Sequence, residues 1–199
     1  TELMPAGIDT DYFCRVEKER PIGTLLYLGR ISSIKKVHSI VKVIEDLEGR
    51  YTLSLYGDKV NKASEIEYFS KVKKDSAHLE EKRKVFFRGS VPNSGTKDVY
   101  NSFSILVNLT PTGSFDKVIL EMMATEGLVL VSNKSFETIF PPYLKELLMV
   151  REEDTEDLKN KIIALTNLPE EKKKEIGYKL RKIVVEEHSL ALLVQKIVC

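Results

Sequence analysis

Ile105-Leu-Val-Asn-Leu109-Thr-Pro-Thr-Gly113-Ser-Phe-Asp-Lys117-Val-Ile-Leu-Glu121-Met-Met-Ala124 is an apolar run, a glycine-containing turn and a second apolar segment in direct succession. Ile105 to Leu109 has the length and branching of a buried strand, and Asp116 to Thr125 reads as a helix. A strand that feeds a helix through a turn is the repeating unit of an open parallel sheet. The same unit recurs on both sides. Strands are expected at Leu25 to Leu28, Thr52 to Tyr56, Val85 to Arg88, Leu128 to Val131 and Leu147 to Val150. Helices are expected at Val37 to Leu47, with Val37, Ile40, Val41, Ile44 and Leu47 at helical spacing, at Ala63 to Lys82, at Lys97 to Ser102, and as a short piece near Phe136.

The alternation predicts an α/β domain with a Rossmann-like, doubly wound parallel sheet of about six strands and helices on both faces. Its C-terminal third changes character. Glu156 to Leu165, Glu170 to Val185 and Ser189 to Val198 read as three consecutive helices, the first capped by Asp154 or Thr155, with Pro169 in the first turn of the second. Residues 1–23, broken from the rest by Pro21-Ile-Gly23, read as a lead-in segment, and residues 24–199 as the domain. The opening Thr1-Glu-Leu-Met-Pro-Ala-Gly-Ile-Asp reads as the middle of something longer.

At 199 residues, 42% hydrophobic and 31% charged, the chain has the composition of an ordinary globular domain. Lys plus Arg (31) nearly cancel Asp plus Glu (30), so no global basic field points to nucleic acid, and any anion site must be local. Lysine-rich Lys172-Lys-Lys-Glu-Ile176 reads as a solvated helix face. No apolar stretch approaches the roughly 20 residues that span a bilayer. Cys14 and Cys199 lack metal-type spacing and read as free thiols of a reducing, cytoplasmic compartment.

Three turns at expected strand ends carry the chemistry. In Gly29-Arg30 and Lys35 a glycine lets the backbone turn tightly and two cations can converge on one anion. Gly113 to Lys117 opens a helix, so free amides from Ser114 onward would point at a bound phosphate and Lys117 would add charge. One turn further, Glu121 could accept hydrogen bonds from two ribose hydroxyls. Each feature also has a plain structural account. Ser114 or Asp116 can be a helix cap, and Lys117 with Glu121 an i,i+4 pair worth about 0.2 to 0.5 kcal/mol. Their occurrence together and in order points to a nucleotide-diphosphate site. A dinucleotide-dependent oxidoreductase would need Gly-x-Gly-x-x-Gly after its first strand, where Gly29-Arg30-Ile31 stands instead. His38 follows Lys35 closely but reads as incidental, and neither His78 nor His188 is given a role.

These residues resemble the C-terminal, nucleotide-sugar-binding domain of GT-B glycosyltransferases, especially glycosyltransferase family four (glycosyl transferases group 1). Pro5-Ala-Gly-Ile-Asp-Thr-Asp-Tyr-Phe13 is similar to the family's interdomain segment. Gly29-Arg30 with Lys35 is similar to Gly-Arg-x-x-x-x-Lys-Gly, and Leu55-Tyr-Gly57-Asp58 to Gly-Asp-Gly. Phe87-Arg88-Gly89-Ser90-Val91 resembles a stretch whose backbone flanks the base, and Gly113 to Ala124 the Glu-x-Phe-Gly-x-x-x-x-Glu-Ala-Met-Ala motif. The resemblance implies Arg30, Lys35 and Glu121 as the catalytic set, the cations on the donor diphosphate and the glutamate on the ribose. Gly29, Gly57, Arg88, Gly89, Val91, Gly113, Ser114, Phe115 and Lys117 would line the donor site. It implies a UDP- or GDP-sugar as partner and donor, with no separate cofactor and no metal.

It also implies a hexosyltransferase of polysaccharide or glycolipid synthesis, working with retention, in the cytoplasm or at the inner membrane face. An N-terminal domain absent from these residues would supply the acceptor site, and the fragment alone would bind without turnover. Three positions depart from the pattern: Gly113 replaces the first glutamate, Asp116 the glycine after Phe115, and Lys36 the glycine after Lys35. Glu126-Gly127 stands where the family has Cys-Gly, and Gly127 is expected to end its helix in a left-handed cap. The departures keep open a second reading, a nucleotide-binding regulatory or scaffold domain that has lost transfer.

Overall fold

The structure, a computed structural model, describes residues 6–113 and 115–198. Five parallel strands, β1 (Thr24–Leu28), β2 (Thr52–Tyr56), β3 (Val85–Gly89), β4 (Ile105–Asn108) and β5 (Leu128–Val131), lie in the order β3-β2-β1-β4-β5. The chain builds outward from β1 in one direction and, after β4, in the other. The loops leaving β1 and β4 therefore part, which opens a crevice at their carboxyl ends. Leu25, Leu26, Leu53, Leu55, Leu106, Val129 and Leu130 are fully buried, as expected of strands covered on both faces.

Helices α1 (Val37–Asp46), α2 (Ala63–Asp75), α3 (Ala77–Glu81), α4 (Asn93–Tyr100) and α5 (Lys117–Ala124) provide the crossovers. In α1, Val37, Ile40, Val41 and Ile44 are all buried, with Leu47 just beyond its end, so the 3.6-residue period read from the sequence is the packed face. The single helix expected over Ala63 to Lys82 breaks at buried Ser76. Its hydroxyl donates to the Val72 carbonyl at 2.8 Å and competes with the helical ladder.

Beyond β5 follow a 3-10 turn (Lys134–Thr138) around buried Phe136, then α6 (Pro142–Leu148), α7 (Thr155–Asn167), α8 (Glu170–Glu187) and α9 (Leu190–Val198). The sixth strand expected at Leu147 to Val150 does not form. Leu148 is buried as the last residue of α6, and only a Val131–Met149 bridge remains, with the Val150 amide on the Val131 carbonyl at 2.7 Å. Asp154 caps α7, accepting from the Asp157 amide at 2.8 Å, and Pro169 takes the cap position of α8, one residue before its first turn.

The helix α5 ends in a Schellman turn. The Glu126 and Gly127 amides reach the Met123 and Met122 carbonyls, both at 2.9 Å. The left-handed residue is Glu126 (φ 60°), not Gly127 as expected. Gly127 is needed for space, because a Cβ there would lie 2.3 Å from Met122 Cε. The lead-in segment is packed on the domain: the Arg181 guanidinium donates to the carbonyls of Phe13 at 2.8 Å and Thr10 at 3.0 Å. Among the described residues no helix is long and apolar enough to cross a membrane.

Candidate donor site at the carboxyl edge of the sheet

The loops after β1, β2 and β3 lie against one another backbone to backbone. The Gly29 amide donates to the Tyr56 carbonyl at 2.9 Å, and the Gly57 amide to the Gly89 carbonyl at 2.8 Å. Gly57, at φ 141°, has no room for a side chain, since a Cβ would fall 1.8 Å from the Gly29 carbonyl oxygen. This close approach sets the floor of a cleft of about 790 Å³.

Arg30, leaving β1, and Lys117 and Glu121, on the first turns of α5, line that cleft together with Gly29, Gly57 and Val91. Arg30 and Lys117 are exposed, and neither has an ion-pair partner among the described residues. Glu121 is held: the buried Tyr100 hydroxyl donates to its Oε2 at 2.6 Å, which leaves Oε1 for a ligand. Burial pushes the Glu121 carboxyl above its ordinary value, against the Tyr100 hydrogen bond and the nearby Lys117 charge. The result is two cations without ion-pair partners among the described residues on the same cleft wall as one oriented carboxylate, an arrangement able to hold an anion joined to a hydroxyl donor.

Lys35 lies on the same edge but off the cleft wall. Its ammonium bonds Asp116 Oδ2 at 2.6 Å and Thr110 Oγ1 at 2.9 Å, and Asn108 donates to the same carboxylate oxygen at 3.0 Å. Asp116 occupies the cap position of α5 without capping it, because its side chain turns to Lys35. Burial would raise the Asp116 carboxyl, but Lys35, with Asn108 and Thr110, outweighs burial and holds it below the ordinary carboxylate value. Next in the chain, Lys36 stands where the resemblance has glycine, and it takes the left-handed conformation that position demands (φ 50°, ψ 37°). Its ammonium reaches Glu153 at 3.1 Å and Glu152 at 3.4 Å.

The remaining expected residues divide. The Arg88 guanidinium sits over the Phe86 ring, 4.7 Å from its centroid, and is not on the cleft wall. Gly89 contributes the carbonyl that fixes Gly57. The Phe115 ring packs edge-on against Phe136 and His188, with centroids 5.1 and 4.8 Å away, and Phe115 is not on the cleft wall. Gly113 is exposed, and its carbonyl accepts from the Ser135 hydroxyl. Ser114 lies outside the described residues. His38 is turned to the Tyr68 hydroxyl, 3.0 Å from Nδ1, and His78 to Glu45 at 2.8 Å.

Several residues at or behind the cleft were not singled out from the sequence. Tyr100 orients Glu121, Ser90 bonds Asp58 at 2.7 Å, and Asp9 folds the lead-in so that the Tyr12 hydroxyl reaches the Ser94 carbonyl at 2.7 Å. Asp116 had a visible signal, since a carboxylate stands where the motif has glycine. Among the described residues no group of three or more His, Cys, Asp or Glu side chains is placed to hold a metal.

No curated protein sequence matches the chain. Among solved structures it is similar to the C-terminal domain of the glycosyl transferase group 1 protein LpcC from Francisella tularensis (TM-score 0.78, 16% identity, 92% of this chain and 100% of that one). It is also similar to sucrose-phosphate synthase from Thermosynechococcus elongatus (0.84, 19%, 98% and 50%) and to Anabaena HepE in complex with UDP-glucose (0.82, 14%, 99% and 56%). The chain thus spans about half the length of the latter two and the whole of the first. At these identities the likeness shows the fold, one half of a GT-B architecture. The sequence profile described as glycosyl transferases group 1 matches residues 23–167, more than half of the chain, and the protein belongs to that family.

Proposed function

We propose that this chain is the donor-binding domain of a hexosyltransferase, taking a UDP- or GDP-sugar in the cleft between Arg30 and α5. The observation that carries the reading is the convergence of two unpaired cations, Arg30 and Lys117, with the Tyr100-oriented Glu121 at the crevice between β1 and β4. Glu121 would accept from the ribose hydroxyls. Arg30 and Lys117 would neutralise charge building on the diphosphate as the bond to the sugar lengthens, with no metal called upon. Lys35 joins them when the diphosphate displaces it from Asp116. Retention of configuration and an acceptor site on a second, N-terminal domain rest on the family resemblance. HepE, of the same fold, is described with UDP-glucose bound, which supports a nucleotide sugar here. Cys14 is unbridged, in keeping with a cytoplasmic setting, and an acceptor at the inner membrane face fits the family.

Calorimetry with UDP, GDP, ADP and their sugars tests the reading. One base class should bind, and Arg30→Ala should weaken it by about 1.5 to 3 kcal/mol, the scale of hydrogen bonds to charged groups. Glu121→Gln should hurt the ribonucleotide more than its 2′-deoxy analogue. Unchanged affinity in Arg30→Ala, or no nucleotide bound at all, would remove the assignment. The Lys35–Asp116 ion pair and Gly113 favour a second reading, a nucleotide-binding regulatory domain without transfer. Sugar transfer by the protein joined to its N-terminal domain decides between them.

A further inference from the structure

A second cavity, of about 320 Å³, lies at the other edge of the sheet, where the strands begin. Its floor is Gly23, Ser104 to Ile105 and Leu128, at the amino ends of β1, β4 and β5. Its sides come from the end of α7, the first turns of α8 and the lead-in segment. The volume suits a compact metabolite rather than a nucleotide sugar.

The lining is unbalanced in charge: Arg15, Arg20, Lys173 and Lys174 face Glu126 and Glu170. Lys173 is 3.8 Å from Glu170, and Lys174 is turned to Glu171 at 3.2 Å. The two arginines have no carboxylate within 4.0 Å among the described residues. Arg15 makes one main-chain bond, to the Lys18 carbonyl at 3.1 Å. Arg20 is spent on the end of α5, donating to the Thr125 carbonyl at 2.7 Å and the Glu126 carbonyl at 2.9 Å. These bonds engage its Nη groups only, and carbonyl dipoles do not cancel its charge. Burial, and after it the neighbouring Arg15 charge, pull the Arg20 guanidinium down to about 9, while Glu126 opposes them.

Polar satisfaction is also incomplete in this wall. Arg20 Nε and Thr166 Oγ1 are shut off from solvent without a hydrogen-bond partner among the described residues, and both residues line the cavity. Native structures rarely leave such groups unpaired. The rest of the wall is apolar, with Ile105, Leu128 and Leu165 inside and Ile22 and Tyr178, each 63% exposed, at the rim.

We propose that this cavity is a second ligand site, for a small organic acid whose carboxylate supplies the counter-ion missing at Arg15 and Arg20 and whose apolar body lies between Ile22, Leu165 and Tyr178. A carboxylate fits better than a phosphate. The Arg20 Nη groups are already engaged, so few donors remain for a third anionic oxygen. The site is independent of the donor cleft, from which the length of the strands separates it.

Amide chemical-shift mapping on the 199-residue chain tests this, with 4-phenylbutyrate as probe, 4-phenylbutyramide as its uncharged partner and inorganic phosphate as the bare anion. Phenylbutyrate should give saturable shifts at Gly23, Glu126, Leu128 and Thr166, and both the amide and phosphate should bind at least about ten-fold more weakly. Arg15→Gln, whose side chain makes a single main-chain bond, should weaken phenylbutyrate by about ten-fold with the native spectrum kept. Lys174→Gln, at the mouth, should weaken it less. The amide binding as tightly as the acid, phosphate matching it, no saturable shift at these amides by about 10 mM, or Arg15→Gln leaving affinity unchanged would each overturn the proposal. Added UDP should shift amides at the opposite edge, at Gly29, Gly57 and Glu121, which tests the donor reading separately.

Discussion

The two edges of the sheet handle positive charge in opposite ways. At the carboxyl edge Arg30 and Lys117 are exposed and have no ion-pair partner among the described residues, and the loops beneath them are built from glycine backbone in close contact. At the amino edge Arg20 is enclosed, and its Nη groups donate to the carbonyls that close α5. Exposed cations are cheap to hold vacant because water solvates them, whereas an enclosed cation must be compensated by the fold itself. The same helix joins both solutions. Its first turns present Lys117 and Glu121 to the cleft, and the Thr125 and Glu126 carbonyls just past its end are held by Arg20.

That contrast can be broken most sharply at Gly57. Gly57→Ala forces a Cβ into the Gly29 carbonyl oxygen at 1.8 Å, with backbone on both sides unable to yield. It should cost about 3 to 5 kcal/mol of unfolding free energy and abolish nucleotide binding, read by denaturant titration and calorimetry. Gly89→Ala is the control. Its Cβ would meet nothing within 4 Å, so only the left-handed conformation at φ 70° is penalised, by about 1 kcal/mol.

At the other edge, Arg20→Ala leaves the Thr125 and Glu126 carbonyls without their donor and should cost about 2 to 3 kcal/mol in the same titration. A smaller loss there with a larger loss of nucleotide affinity would show that α5 transmits the damage to the cleft.

Within the carboxyl edge, Asp116→Asn should sharpen the comparison by turning Lys35 into a third free cation. Diphosphate affinity is expected to rise by about 1 kcal/mol, the scale of an ion pair as little exposed as this one (20% and 19%). Unchanged affinity would mean that Lys35 never leaves the helix start.

The smallest effects come from pH, and the two carboxylates have opposite signs. Asp116 is held below its ordinary value of 3.8, so its contribution to stability is complete above that value and is lost as pH falls through the lower native one. Glu121 is raised above 4.5, so its burial penalty is absent at low pH and sets in as pH rises from 4.5 through the native value. Stability measured from pH 2 to 7 should show a shallower acid-side fall in Asp116→Asn and a steeper one in Glu121→Gln.

Much of the fold was legible because it rests on local periodicity. Val37, Ile40, Val41 and Ile44 recur at the helical period and are buried on one face of α1. The strands Thr52–Tyr56 and Leu128–Val131 were readable as apolar runs between turns, with the bounds they have in the fold. Leu147 to Val150 misled for the same reason. Apolar and branched, it is also the end of an amphipathic helix, and only the place of Leu148 in the core decides between the two. The left-handed residue at the end of α5 was assigned to glycine on propensity. The fold spends Gly127 on Met122 and leaves the strained angle to Glu126, held by two hydrogen bonds.

Of the candidate site, Arg30, Lys117 and Glu121 could be named from the turns that carry them and are brought into one cleft. Lys35 was named too, but its partner lies 81 positions away, and no local rule pairs residues at that distance. Tyr100 behind Glu121 and the arginines of the amino edge were invisible for the same reason.

The amino-acid sequence by itself determined five strands, most of the helices and the turns that carry Arg30, Lys117 and Glu121, because period, glycine placement and strand-to-helix order act over a few residues. Only the tertiary structure decided which cations remain free, which carboxylates are raised or lowered, and that a charged cavity exists at the opposite edge. Those outcomes depend on distances between groups remote in the chain and on how far packing removes them from water.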